Sequence, residues 1–288
     1  MEVIVAKEAG FCFGVRRAVN IAERTLRERG RAYSLGPLIH NPQVVAILKE
    51  QGLEPVEDVK GVGKGPVVIR SHGVSREILE DMKGRGVEVV DATCPYVKRA
   101  QRGASSLSRR GYFVVVIGEK DHPEVKGILS YIEGEGAVVE EVAEVDRLPR
   151  RRKIGVVAQT TQERKRVGEV IKALLPLAEE MVVYNTLCEV TSKRQEEALK
   201  LASKVDCVVV VGGRISANTR RLVELCRRVQ PRTFHVETAS ELRPEWFEGV
   251  RRVGITAGAS TPLWAIKEVR DALVSRSFCG IRGEVENL

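Results

Sequence analysis

Three cysteines in this 288-residue chain sit in matching surroundings. Cys12 lies in Gly-Phe-Cys-Phe-Gly after Val3-Ile-Val5, Cys94 in Asp-Ala-Thr-Cys-Pro after Val87-Glu-Val-Val90, and Cys188 in Asn-Thr-Leu-Cys-Glu after Met181-Val-Val-Tyr184. A polar, helix-like stretch and then an apolar run ending in Gly follow each one. The spacing is 24 residues every time, from Cys12 to Gly36, Cys94 to Gly118 and Cys188 to Gly212 (36 − 12, 118 − 94 and 212 − 188). The pattern implies three copies of one α/β unit, each offering a thiol from an equivalent loop.

None of the three is paired at close spacing, as structural zinc ligands usually are. Three thiolates suit an iron–sulfur cubane whose fourth iron is left open, at once a Lewis acid and an electron donor. Helix starts beside each cysteine favour thiolate and the negative charge of a cluster. A buried structural thiol is the competing reading for any single cysteine, and it is preferred for Cys207, at the start of an apolar strand, and Cys226, in a helix with Leu222 and Leu225. Cys279 stays unassigned.

Two further loop sets recur in the same order. After the reference glycines come Leu35-Gly-Pro-Leu-Ile-His40, Ile117-Gly-Glu-Lys-Asp-His122 and Val211-Gly-Gly-Arg-Ile-Ser216, the last followed by Asn218. Further on come Arg70-Ser-His-Gly73, Ala158-Gln-Thr-Thr161 and Ala257-Gly-Ala-Ser260. They supply His40, His122, Ser216 and Asn218, then His72, Thr160, Thr161 and Ser260. Neutral donors at helix starts are what a phosphate or diphosphate needs, although each Ser or Thr alone reads equally as a helix cap. Glu124, in His-Pro-Glu, is either a first-turn carboxylate complementing a helix dipole or a proton source for a reduction.

These residues must be placed by strand-to-helix loops. Short β-branched runs alternating with helical periods predict parallel sheets with helical crossovers, and such sheets bind ligands beyond the carboxyl ends of their strands. The expected fold is α/β: three similar units with mainly parallel sheets around a pseudo-threefold axis and a central cluster. The unit boundaries are expected near Gly86 and Leu177, giving 1–86, 87–177 and 178–288. The Cys-loop helices are predicted over Val15–Arg29, Val97–Arg109 and Thr191–Ser203.

Composition narrows the classes. Hydrophobic content is 43% and charged content 30%, as in ordinary globular chains. Aromatics at 5% are too few for a single-strand stacking surface, and no apolar run is long enough to span a bilayer. The expectation is therefore a cytoplasmic protein with no membrane or nucleic-acid partner, in a compartment that keeps cysteines reduced. The net charge of +8 suits an anionic substrate or an acidic partner. Gly61-Val-Gly-Lys-Gly-Pro66 reads as a plain loop. Arg150-Arg-Arg-Lys153 reads as a solvated turn or, more sharply, a docking patch for an acidic electron carrier.

Taken together, Gly-Phe-Cys-Phe-Gly-Val, Leu-Gly-Pro-Leu-Ile-His-Asn, Arg-Ser-His-Gly-Val, Asp-Ala-Thr-Cys-Pro, His-Pro-Glu, Asn-Thr-Leu-Cys and Thr-Ala-Gly-Ala-Ser-Thr-Pro resemble the 4-hydroxy-3-methylbut-2-enyl diphosphate reductase family, in order and over essentially the whole chain. The resemblance implies an oxidoreductase of the non-mevalonate isoprenoid pathway that removes the hydroxyl of an allylic diphosphate to give isopentenyl and dimethylallyl diphosphates. It implies one 4Fe–4S cluster on Cys12, Cys94 and Cys188. It implies diphosphate binding by His40, His72, His122, Ser216, Asn218 and Ser260, and proton delivery by Glu124 with Thr160 and His122. Electrons would come from a ferredoxin- or flavodoxin-type donor. Ala217, where many members carry a second Ser, and Leu263, where an acidic residue is frequent, depart from the pattern. The rival readings are a three-cysteine dehydratase of the quinolinate synthase type and an iron–sulfur regulatory or nucleic-acid-binding protein.

Overall fold

The computed structural model describes residues 1–275 and the main chain of 285–287, so Cys279 lies outside the described residues. In chain order the elements are β1 (Glu2–Val5), α1 (Phe13–Arg29), β2 (Ala32–Leu35), α2 (Pro42–Glu50), β3 (Leu53–Val56), β4 (Val67–Ile69), α3 (Arg76–Gly84), β5 (Val89–Asp91), α4 (Pro95–Arg109), β6 (Phe113–Ile117) and α5 (Pro123–Leu129). There follow β7 (Gly136–Val139), β8 (Arg151–Ala158), α6 (Arg164–Leu174), β9 (Ala178–Val183), α7 (Glu189–Ala202), β10 (Cys207–Val211), α8 (Ala217–Val229), β11 (Thr233–Val236), β12 (Arg252–Ala257), α9 (Leu263–Ser275) and β13 (Val285–Asn287).

The strands form three sheets of one design. Their orders are β3-β2-β4-β5, β7-β6-β8-β9 and β11-β10-β12-β1-β13, and every pairing is parallel. In each sheet the strand ending at a reference Gly is second and the strand leading to a cysteine is fourth. The N–H of each reference Gly donates to the last carbonyl of the first strand: Gly36 to Val56 at 2.8 Å, Gly118 to Val139 at 3.0 Å and Gly212 to Val236 at 2.9 Å. Pro55 lies in β3, at a sheet edge where its missing N–H breaks no central ladder.

Sheet membership corrects the expected boundaries. β5 pairs with β4, β9 with β8 and β1 with β12. Cuts at Gly86 and Leu177 therefore remove the fourth strand from its sheet. Each sheet closes at the Cys loop, one strand later than expected. Local pattern reveals that Val87–Val90 is a strand but not which neighbour takes its hydrogen bonds. The Cys-loop helices also begin two residues earlier than predicted, at Phe13, Pro95 and Glu189, directly after the cysteines.

By compactness the chain divides into Met1–Phe13, His40–Val44 and Glu189–Leu288 as one unit, and Gly14–Ile39 with Val45–Cys188 as the other. In the first, the sheet around β10 is covered on one face by Phe247, Ile266, Val269 and Leu273 and on the other by Leu201, Leu222 and Cys226. All five residues of β10 are buried, as expected of a two-sided parallel strand. In the second unit, Leu107, Val114, Val116 and Ile128 form one layer and Ile117, Ile154 and Leu174 another. Tyr33, Val67, Ile69 and Met82 pack in a third cluster.

Candidate functional site

The cysteine loops are equivalent in their hydrogen bonding as well as in sequence. The N–H of Cys12 donates to Ala259 O, that of Cys94 to Ser71 O and that of Cys188 to Thr160 O, each at 3.0 Å. Each accepting carbonyl lies two residues beyond the end of a third strand, β12, β4 or β8. Every cysteine is thus pinned against the third loop of its own sheet, at the start of a helix. Cys94 is the N-cap of α4 and Pro95 fills its first position, where no N–H is needed. None of the five described cysteines is in a disulfide. Burial pushes the Cys207 and Cys226 thiols up to about 12, which keeps both protonated and supports their reading as packing residues.

Arginines tie one cysteine loop to the next, a feature absent from the sequence reading. Arg17 of α1 donates through Nη1 to Thr93 O at 3.2 Å, the carbonyl just before Cys94. Arg99 of α4 donates through Nη2 to Leu187 O at 3.0 Å, just before Cys188. Each arginine stands five residues after its own cysteine. A search for basic residues at constant offset from the cysteines would have found the pair. Arg70 was also missed: its Nε donates to Gly73 O at 3.2 Å, and its guanidinium lies where a Cβ on Gly36 would fall, 2.8 Å away, so it braces the second loop against the third.

Several of the candidate ligand residues cap helices. His122 caps α5, its Nδ1 accepting from Glu124 N–H at 3.1 Å. That bond selects the tautomer with the proton on Nε2, which makes the outer nitrogen a donor. The His72 and His122 rings meet edge to face with centroids 5.5 Å apart. Ser216 caps α8 by accepting from Thr219 N–H at 3.3 Å, which leaves its hydroxyl proton for another acceptor. Asn218, in the first turn of α8, is buried with neither Oδ1 nor Nδ2 partnered among the described residues, a costly arrangement that a bound polar ligand would relieve. His40 is buried, and Asn41 Oδ1 caps the next helix by accepting from Val44 N–H at 3.1 Å. Ser260 differs: its hydroxyl donates to His40 O at 3.0 Å, so in this arrangement it positions the His40 loop.

Close packing shapes the same loops. A Cβ on Gly258 would stand 2.0 Å from Thr219 Oγ1, and one on Gly212, at φ +148°, would stand 2.6 Å from Thr261 Oγ1. Only glycine lets these strand ends approach the start of α8 so closely.

Glu124 is 1% exposed, and among the described residues Thr160 holds its carboxylate. The Thr160 N–H donates to Oε1 at 2.6 Å and its hydroxyl to Oε2 at 3.1 Å. Burial raises the carboxyl to about 7, with the Thr160 bonds pulling the other way. The group can therefore carry a proton near neutrality and release it. Glu124 is in the first turn of α5, and a carboxyl raised to about 7 by burial is also of the kind that proton transfer uses.

Other features separate from this site. Arg151 and Lys153 are at the start of β8, about 23 Å and about 17 Å of strand away from its carboxyl end. Arg151, Arg152 and Lys153 lie in the strand itself and pair with Glu135, Glu179 and Glu180, so the run is a solvated strand end rather than a turn. Residues 62–66 form a loop before β4. Ala217 is buried at the start of α8, whereas Leu263 is 65% exposed and covers Gly10, at φ +114°. No helix among the described residues is long and apolar enough to cross a membrane.

Fold and site define a parallel α/β protein with one loop set repeated three times, offering thiols, neutral hydrogen-bond donors and a single neutral-range carboxyl. The chain belongs to the LytB protein family, whose model matches residues 3–274. It is 54% identical over 269 residues to the 4-hydroxy-3-methylbut-2-enyl diphosphate reductase of Geobacter sulfurreducens, covering 93% of this chain and 95% of the relative. It is 52% identical over 273 residues to that of Geotalea uraniireducens, covering 95% and 97%. Among solved structures it resembles (E)-4-hydroxy-3-methyl-but-2-enyl diphosphate reductase, the terminal enzyme of the non-mevalonate pathway, with 47% identity, a TM-score of 0.70 and coverage of 95% and 99%. The reductase of Plasmodium falciparum is 26% identical, with a TM-score of 0.91 and coverage of 100% and 92%.

Membership of this family implies an iron–sulfur cofactor. The residues present fit one. Cys12, Cys94 and Cys188 are unoxidised thiols at helix starts with identical main-chain tethers, the soft donor set that iron–sulfur clusters take.

Proposed function

We propose that this chain is an oxidoreductase that converts 4-hydroxy-3-methylbut-2-enyl diphosphate to isopentenyl and dimethylallyl diphosphates. Two electrons and two protons enter, and the hydroxyl leaves as water. The observation that carries the reading is Glu124, a buried carboxyl raised to about 7 and held twice by Thr160, two residues from the His122 cap. What separates this reading from a dehydratase of the quinolinate synthase type is the diphosphate set of His40, His72, His122, Ser216 and Asn218.

Cys12, Cys94 and Cys188, one from each repeat, would hold one 4Fe–4S cluster. Bound there, it would supply single electrons and a Lewis-acidic iron for the substrate oxygen. The remaining work falls to the chain's own groups. The Nε2 proton of His122, the neighbouring His72 ring, the Ser216 hydroxyl and the Asn218 amide bind the diphosphate, together with His40. Ser260 supports His40 through its carbonyl and would reach phosphate only by giving up that bond. Fixing the diphosphate orients the allylic end and limits its freedom. Glu124 holds the proton that the departing hydroxyl requires, and the Thr160 hydroxyl, bonded to Oε2, hands it over. The family resemblance implies a ferredoxin- or flavodoxin-type electron donor, an acidic one being suited to a chain of net charge +8, and the cytoplasm as the compartment.

The test is anaerobic turnover. Cluster-reconstituted protein receives the diphosphate substrate and a reduced viologen. Dye oxidation coupled to both products is expected. An intact cluster spectrum without oxidation would overturn the reductase reading and bring the dehydratase forward.

A further inference from the structure

A cavity of about 720 Å³ lies in the unit built on β10 and β12, beside the loop that ends in Ser216, which contributes Arg214 to its lining. Its size is that of a small-molecule site. Arg220 and Arg227 of α8 line it, with Arg214, Arg243 and the carboxylates Glu224 and Glu241. The carboxylates are already engaged: Glu241 pairs with Arg214, and Glu224 accepts from Arg221 Nη1 at 2.7 Å. Arg227 donates only through Nε to Thr233 O at 3.4 Å, and Arg243 stands 5.8 Å from the centre of the Trp246 ring. Neither has a carboxylate partner among the described residues. The cavity therefore carries positive charge beyond what its own acids offset.

One wall is flat and aromatic. Phe234 and Trp246 stack with centroids 4.3 Å apart and planes within 1°. Guanidinium groups beside a stacked aromatic pair suit a ligand that joins phosphate to a planar ring.

The wall also carries bonds to the loop that ends in Ser216. His235 Nε2 lies 2.7 Å from Gly212 O, the Arg214 N–H donates to Glu237 Oε1 at 2.7 Å, and Arg220 Nη1 donates to Ile215 O at 3.0 Å. A ligand drawing on Arg220 or Arg214 would alter the grip on Gly212–Ser216, and Ser216 caps the helix that bears Asn218.

We propose that this cavity binds an organic phosphate bearing a flat ring, a nucleoside diphosphate being of that class, and that its occupancy is transmitted to the loop carrying Ser216 and Asn218.

The probe is ADP, titrated calorimetrically into the iron-loaded protein, with inorganic pyrophosphate as the ring-free comparison. One ADP per chain is expected. Binding should weaken at least tenfold in Arg227→Gln/Arg243→Gln, remain unchanged in Asn218→Ala, and exceed that of pyrophosphate at the same site at least tenfold. Should the double variant not fold, the single Arg243→Gln, at an exposed side chain, takes its place. Absence of saturable binding, loss in Asn218→Ala but not in the arginine variant, or equal binding of pyrophosphate each overturns the proposal. Transmission predicts at least a twofold change in substrate KM under saturating ADP, absent from the arginine variant, and an unchanged KM refutes that part. Because binding is read without turnover, its failure is distinct from failure of the reductase reading.

Discussion

Thr160 grips both oxygens of Glu124, one with its main-chain N–H at 2.6 Å and one with its hydroxyl at 3.1 Å. The pair closes a path between a buried acid and a hydroxyl that can pass a proton. Replacing Glu124 by Gln keeps the shape and the bond from the Thr160 N–H, with the Thr160 hydroxyl turned to accept from the amide, but removes the proton. Turnover should fall by about 10²–10⁴-fold, with cluster absorbance unchanged. Stability should move the other way. The folded carboxyl, at about 7, lies above its ordinary value of 4.5, so the folded state binds the proton more tightly, and stability is lost as pH rises from about 4.5 through 7. Glu124→Gln should abolish that slope and melt higher than the parent at pH 8, as thermal scans across pH would show.

Thr160→Val separates the two bonds. The main-chain donor stays and the hydroxyl goes. One of the interactions favouring the charged carboxylate is then missing, so the Glu124 carboxyl should rise further. A rate that needs the protonated acid falls as pH passes that value. The alkaline limb of the kcat profile should therefore shift to higher pH, while the maximal rate drops about tenfold or more for want of the relay. An unmoved limb would place Thr160 outside the proton path.

Asn218 is buried with an amide that bonds to nothing in the described structure. An unsatisfied buried polar group costs about 1–3 kcal/mol. Asn218→Leu should accordingly raise the melting temperature of the ligand-free protein and raise substrate KM. A variant that destabilises the fold with KM unchanged would show that the amide serves structure instead.

Arg99 reaches from the helix after one cysteine to the carbonyl before the next. Arg99→Met keeps the apolar stem and deletes the bond, loosening the loop that presents Cys188. Iron content after reconstitution should fall, and bleaching of the cluster absorbance in air should quicken several-fold. Cys226→Ala is the contrast. It removes a fully buried thiol pushed up to about 12, and it should cost about 1–2 kcal/mol of stability with the iron content intact.

Much of the site is legible in the linear chain because a repeated fold repeats its spacing. The interval of 24 residues from each cysteine to its glycine marks the cysteine and donor loops, and β-branched runs between helical periods mark parallel sheets. Those signals are local, since strand and helix periods are written into consecutive residues.

What the sequence determined by itself was the inventory: three equivalent thiols, the histidine and hydroxyl loops, Glu124 as a candidate acid, and the α/β class. Tertiary structure alone decided which sheet each cysteine strand joins, because β5, β9 and β1 take hydrogen bonds from partners chosen by non-local pairing. It alone decided the charge state available to Glu124. A carboxyl is raised by the water it loses, and that loss depends on what packs around it, far away in sequence. The arginine tethers of Cys94 and Cys188 and the commitment of Ser260 to His40 are of the same kind. They are bonds between side chains and carbonyls 76, 88 and 220 residues apart, fixed only when the folded backbone brings them within reach.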